Sequence, residues 1–483
     1  MILQTSRTVE QLSYKQKVLL MVGIFLCIEL GIMVSSEFSV ALPKIIEDIG
    51  GAQFYALVFT VNIAIGAIIT PIAGRLSDMY GRRQILIIGI LIILISELLT
   101  PMLVSNIVHL MIFRGIQGFG GSTVVVVGLI VISDIFDLDN RAKFLGFYGS
   151  LNAITAMVAP TVGGMVVEYM SWHWIFYSII PIGVIGFLLV FKYMPNVPCA
   201  ANSRFDYLGV FLLSVSILVV VGITTLGGTY ISWTSVPMLA LFAVLIVGLI
   251  SFIFSQKKHS NPIMPLHLFK YRVFIVCLFC IFTVTLAATG LVYFMPFFFQ
   301  NLHGFSPVES GVFLTLRGVS SFIMAAASGF IVVKLKDFRI VAIGSMIIFS
   351  VSIFAFTFFT ASATATVLTL ICLIWGVAAG IYTSIFYTGV QLNLPNKDIA
   401  TAIGVMQLFL TLSALIATSV LGLFLRYENL SAGFAGLLYS CLGLVLVALL
   451  VFMVTLIRRN LKVNDEEVEV VGIVEEVEKV IVH

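Results

Sequence analysis

Charge is what this sequence has least of. Of 483 residues only 26 are Lys or Arg and 23 are Asp or Glu, against 60% hydrophobic. A water-soluble globular chain needs more polar surface than that, and repeated apolar runs of about 20 residues read as membrane-spanning helices. The net charge of +3 decides little, and nothing in it suggests a nucleic-acid partner. Cysteine is scarce too. Cys277 and Cys280 form a C-x-x-C, but inside an apolar run without further ligands, so buried thiols are expected and no metal or redox centre. A phosphate loop, a nucleotide motif and a nucleophile–base pair are all missing. An enzyme or an ATP-driven pump is therefore not expected, nor any cofactor.

What is present is a series of apolar runs. Polar breaks cut the chain into fourteen spans, roughly 17–43, 53–73, 84–103, 107–132, 144–167, 174–194, 207–226, 236–255, 272–298, 307–332, 339–359, 364–390, 399–424 and 433–457. The first is too long for a signal peptide and lacks a small-residue cleavage site, so it is expected to be retained. Basic residues alternate between junctions. Odd-numbered ones carry Lys44 and Arg426, and the even ones hold nearly all the rest, such as Arg75, Arg82, Arg83, Lys257, Lys258 and Arg339. The positive-inside rule then puts both termini in the cytoplasm.

Between spans 2 and 3 lies Gly74-Arg75-Leu76-Ser77-Asp78-Met79-Tyr80-Gly81-Arg82-Arg83. Gly74 and Gly81 are expected to permit a tight reversal, and Asp78 to cap the following helix. A worn copy, Gly329 to Arg339, follows span 10, with Val333 for the aspartate and Lys336 for the second glycine. Equivalent turns eight spans apart imply two six-helix halves around a two-helix insert. The divisions expected are 1–200, 201–260 and 261–460, followed by an acidic tail, 461–483, that fits a short strand, a fraying helix or disorder.

Ionisable residues deep in spans are costly and informative. They are Glu29 and Glu37 in span 1, Glu97 in span 3, Arg114 in span 4 and Arg317 in span 10. Glu37 and Arg114 lie at similar depth, about 9 and 10 Å below the outer surface, and could form an ion pair. Glu29, two turns deeper on nearly the same face, is then the expected proton carrier and Glu37 the anchor. Glu97 fits a helix tie as well as a functional role. Aromatic walls suited to varied ligands are Trp375, Tyr382 and Phe386 in span 12, and Tyr293 and Phe297 in span 9.

Several strings resemble one family. The turn is similar to the G-x-L-x-D-x-x-G-R-R/K signature of the major facilitator superfamily. Arg114-x-x-Gln117-Gly118-x-Gly120-Gly121 resembles its helix-4 motif. Ala159-Pro160-x-x-Gly163-Gly164 resembles the antiporter motif, with Thr155 and Ala159 standing where glycines are usual. Ser171-Trp172-His173-Trp174-Ile175-Phe176, Phe205-Asp206-Tyr207-x-Gly209 and Gln300-x-x-x-Gly304-x-Ser306-Pro307 resemble passages of the fourteen-span drug:proton antiporters. In span 1 the family's aspartate is replaced by Val34, and an acid appears one turn later as Glu37.

The resemblance implies an all-α integral membrane protein of the major facilitator fold. It also implies a proton-coupled exporter of small amphipathic drugs, cationic ones among them, in the cytoplasmic membrane. Glu29, Glu37 and Arg114 would couple protons. Glu97, Gln117, Tyr293, Phe297, Arg317, Trp375, Tyr382 and Phe386 would line the cavity. Gly74, Asp78, Gly81, Arg82 and Arg83 would form a switch, and Pro160, Gly163 and Gly164 a seal. A monomer in the bilayer is expected. The competing readings are an exporter of a siderophore, lipid or metabolite, and a non-transporting membrane sensor.

Overall fold

The computed structural model describes residues 12–136, 138–195, 206–228, 230–259, 262–335, 337–358, 364–426 and 429–457. Cys199, Lys336 and the acidic tail lie outside them. Among the described residues, fourteen helices are long and apolar enough to cross a membrane. They are α1 (Tyr14–Ile49), α2 (Tyr55–Tyr80), α3 (Arg82–Leu103), α4 (Ile107–Ile135), α5 (Leu138–Tyr169), α6 (His173–Tyr193), α7 (Tyr207–Leu226), α8 (Val236–Lys258), α9 (Arg272–Asn301), α10 (Pro307–Leu335), α11 (Phe338–Phe358), α12 (Ala365–Asn393), α13 (Asn396–Val420) and α14 (Leu430–Phe452).

Each helix overlaps an expected span, with ends that differ by up to seven residues. The largest excess is at the ends, because an apolar run marks the lipid-embedded part while capping sets where the helix stops. α1 begins at a capping box, in which Ser13 Oγ accepts from Gln16 N and Gln16 Oε1 accepts from Ser13 N, and it ends at Gly50 with φ 75°. α10 opens on a second such box, Ser306 with Glu309, and has Pro307 as its first residue.

The internal repeat is legible in how the helices pack. In the N-terminal half α2 packs on α4, α3 on α4, α1 on α5 and on α6, and α3 on α6. The C-terminal half repeats this with α10 on α12, α11 on α12, α9 on α13 and on α14, and α11 on α14. The halves meet through α5 against α10, α2 against α13 and α1 against α9.

The insert sits outside this frame. α7 lies along α2 and α13, and α8 packs mainly on α7, leaving most of its surface to lipid. A buried polar clasp fixes its inner end. Asp206 caps α7 by accepting from Gly209 N and also accepts from Gln256 Nε2, whose Oε1 accepts from Met264 N. At the outer end Arg426 donates to the carbonyls of Gly227 and Thr225.

Candidate functional site

Glycines along α5 and α10 report how the two halves lie. Near the outer ends a side chain would have no room: Gly164 abuts the Pro307 backbone, Gly311 that of Pro160 and Gly318 that of Met157, while within the N-terminal half Gly163 abuts that of Glu37. Near the ends bearing the basic loops, Gly149 of α5 and Gly329 of α10 have nothing within 4 Å of a would-be Cβ. The halves are therefore closed outside and parted on the cytoplasmic side.

Polar bonds and rings reinforce the outer closure. The hydroxyls of Thr161 and Thr315 are 2.7 Å apart, Glu168 Oε2 accepts from Val308 N at 3.0 Å, and Gln300 Nε2 donates to the Val40 carbonyl at 2.9 Å. The Glu168 carboxylate thus faces the N-terminus of α10, where backbone N–H groups and the helix dipole favour an anion. Tyr55 meets Phe297 and Phe59 meets Tyr293, with ring centres 4.8 and 4.6 Å apart. Tyr293 and Phe297, expected as cavity wall, are part of this aromatic plug.

Below the plug is the charged network of the N-terminal half. Arg114, 2% exposed, donates to Gln117 Oε1 at 3.0 Å, and its guanidinium lies 4.3 Å from the Phe38 ring centre. Gln117 Nε2 donates to Glu97 Oε2 at 3.3 Å and to Thr100 Oγ1 at 3.2 Å. The expected Glu37–Arg114 ion pair is not formed. The reason is local: Gln117 and Phe38 occupy the guanidinium, and the carboxylate associated with it is Glu97. Glu37 is fully buried, and neither of its oxygens has a hydrogen-bond partner. Glu29, 8% exposed, has its carboxyl group near Thr155 and Tyr148 of α5. Thr155, one of the two departures from the antiporter motif, thus supplies a hydroxyl beside an acid.

The C-terminal half differs from the expectation. Trp375, Tyr382 and Phe386 share a face, but that face is packed, all three being no more than 3% exposed. Trp375 meets Phe356 and Tyr382 stacks on Phe349, both of α11, while Phe386 meets Phe452 of α14. Aromatic spacing on one helix cannot distinguish a wall from a core, and here the neighbours fill the space. The polar surface is elsewhere: Gln407, exposed at mid-helix in α13, accepts from the Tyr387 hydroxyl at 3.3 Å. An exposed glutamine at membrane depth belongs in a watered cavity. Its signal in the sequence was a lone amide inside span 13.

At the cytoplasmic turn only Gly81 reverses the chain, with φ 99°. Gly74 is inside α2 in ordinary contact with Val126, and Asp78 belongs to the last turn of α2 and does not cap α3. A carboxylate there opposes the helix dipole, and Arg82 offsets it at 3.5 Å. Arg82 also pairs with Asp134 at the end of α4, and Arg83 donates to the Phe191 carbonyl of α6. The turn therefore ties four helix ends together.

This geometry defines a two-half membrane transporter with alternating-access architecture. The family profile of the Major Facilitator Superfamily matches residues 21–206 and again 201–418, and the chain belongs to that superfamily. Within it, the chain is 28% identical over 407 residues to the multidrug transporter protein MdtP of Bacillus subtilis, covering 84% of this chain and 75% of that one. It is 29% identical over 398 residues to multidrug resistance protein 3 of the same organism, covering 82% and 76%. Among solved structures, a D-xylose–proton symporter superposes with a TM-score of 0.62 at 17% identity, covering 91% of this chain and 97% of that one. The chain is a multi-pass membrane transporter.

Proposed function

We propose that this transporter is a proton-coupled antiporter that exports small amphipathic drugs, cationic ones among them, across the cytoplasmic membrane. The observation carrying the reading is the pair of acids on α1. Glu37 is sealed from water without a donor or counter-charge, and Glu29 stands two turns away, 8% exposed, beside Thr155 of α5. A buried carboxyl group with no partner is held far more cheaply as the neutral acid than as the carboxylate. Such a group loads a proton when one face opens and yields it when a cation takes its place.

The cycle follows from the two faces. With the outer ends of α5 and α10 closed, cargo enters from the cytoplasm or inner leaflet. When the halves rock, the outer closure of α5 against α10 parts and Glu37 meets the outside water. Coupling requires only that proton and cargo disfavour each other at one site. Glu97, Gln117 and Arg114 hold the wall behind that site. The names of the Bacillus subtilis relatives favour drugs over a siderophore, lipid or metabolite as cargo.

The test is reconstitution into proteoliposomes with an imposed proton gradient and a panel of lipophilic cations. Uptake driven by the gradient and abolished by a protonophore is expected. Movement indifferent to the gradient would remove proton coupling.

A further inference from the structure

α10 carries a cation for which the scheme above has no use. Arg317 lies about 15 Å below the outer end of its helix, near mid-membrane. Its guanidinium carbon is 4.8 Å from the Trp375 ring centre, with Tyr382 and Cys372 close by. No carboxylate pairs with it among the described residues. The described acids of this half are engaged at helix ends: Glu309 in its capping box, Asp337 with Arg339, and Asp398 with Tyr271 and His267. Arg317 Nε and Trp375 Nε1 are both buried donors without an acceptor.

The repeat shows that the fold does not require a cation there. Gly118 of α4 is pressed against the Asn62 carbonyl of α2, and Gly376 of α12 against the Arg317 carbonyl of α10. Arg317 thus occupies the place of Asn62, where a neutral amide suffices, donating to the Arg114 carbonyl at 2.9 Å. A ring beneath a guanidinium recovers part of the desolvation cost, and hydrogen bonds to an anion would recover more. The N-terminal half supplies such compensation to Arg114 through Gln117 and Glu97. The C-terminal half supplies none to Arg317, although the side chain is only partly buried and can be reached.

We propose that Arg317 and Trp375 form an anion subsite that takes the carboxylate of an amphipathic cargo. The guanidinium would offer its forked donors, and the indole N–H, fully buried here, would join them on a shift of the Trp375 ring. The cargo range then includes amphipathic monocarboxylates as well as cations. The assignment of the ligand as cargo rests on the exporter reading; the existence of the subsite does not.

The experiment uses full-length protein in phosphatidylcholine nanodiscs and two fluorescent probes, 1-pyrenebutyrate and its uncharged N-methylamide. Wild type is expected to bind the carboxylate roughly ten-fold more tightly than the amide. Arg317→Gln should lose that preference while keeping the amide affinity, which also reports an intact fold. Trp375→Phe should reduce the preference, and Arg317→Lys should retain part of it. Equal binding of both probes by wild type, or a preference surviving in Arg317→Gln, overturns the proposal. If Arg317→Gln does not fold, an undiminished preference in Trp375→Phe overturns it instead. Displacement of the probe by added phosphatidylglycerol would assign the site to a lipid headgroup and overturn the cargo assignment. A preference that stands while proteoliposomes move neither the probe nor ethidium would sink the exporter reading and leave the subsite in place.

Discussion

Thr161 of α5 and Thr315 of α10 bring their hydroxyl oxygens to 2.7 Å of each other across the line where the two halves meet. They sit between the tight crossings of Gly164 with Pro307 and Gly318 with Met157. The outer face is therefore shut by backbone-to-backbone approach, which a single methyl group is enough to prevent. Gly311→Val and Gly164→Val should hold the outer ends apart, since each added Cβ meets backbone and not a flexible side-chain tip. Cysteine placed at Thr315 should then react with a membrane-impermeant reagent from outside at least several-fold faster than in the parent. Equal reactivity in both would show that these crossings are not the seal.

The missing Glu37–Arg114 pair has a consequence for stability. Gln117→Leu leaves the buried Arg114 and Glu97 without their bridge and should cost about 1–3 kcal/mol. Glu37→Gln removes no hydrogen bond or ion pair and should unfold at nearly the wild-type temperature. Thermal unfolding of the two variants in one detergent compares them. A larger loss in Glu37→Gln would mean that the acid is anchored after all.

Asp78 and Arg82 separate in the same manner. The Arg82 and Asp78 side chains are 18% and 30% exposed and reachable by water, so Asp78→Asn should change stability by less than about 1 kcal/mol. Transport should slow, because the turn no longer fixes the angle between α2 and α3 when that face closes. Arg82→Gln also strands Asp134 and should be the slower of the two. Initial rates in proteoliposomes at matched protein amounts give the order; Asp78→Asn running at the wild-type rate would contradict the role.

Much of the architecture could be read from the residues alone, because the bilayer forces every span to be both apolar and helical. The fourteen spans and the repeat follow from that constraint. Depth along a helix was equally legible, and it placed Glu37 and Arg114 at one level with Glu29 two turns deeper. Azimuth across helices was not. Whether Arg114 turns to Glu37 or to Gln117 depends on how α1, α3 and α4 are rotated against one another. The same ambiguity made Phe386 look like cavity wall, whereas α14 covers it. Asp78 failed for another reason: where a helix ends is a matter of one dihedral, at Gly81, and sequence fixes such boundaries only loosely.

The claim on which the account turns is that cargo and proton compete at the acids of α1, and proton release on cargo binding measures it most directly. Purified protein in weakly buffered detergent, with a pH dye, should release protons when a lipophilic cation such as tetraphenylphosphonium is added. Glu29→Gln should still bind the cation but release clearly fewer protons than wild type. The account is contradicted if wild type binds the cation without releasing protons, or if Glu29→Gln releases them as wild type does.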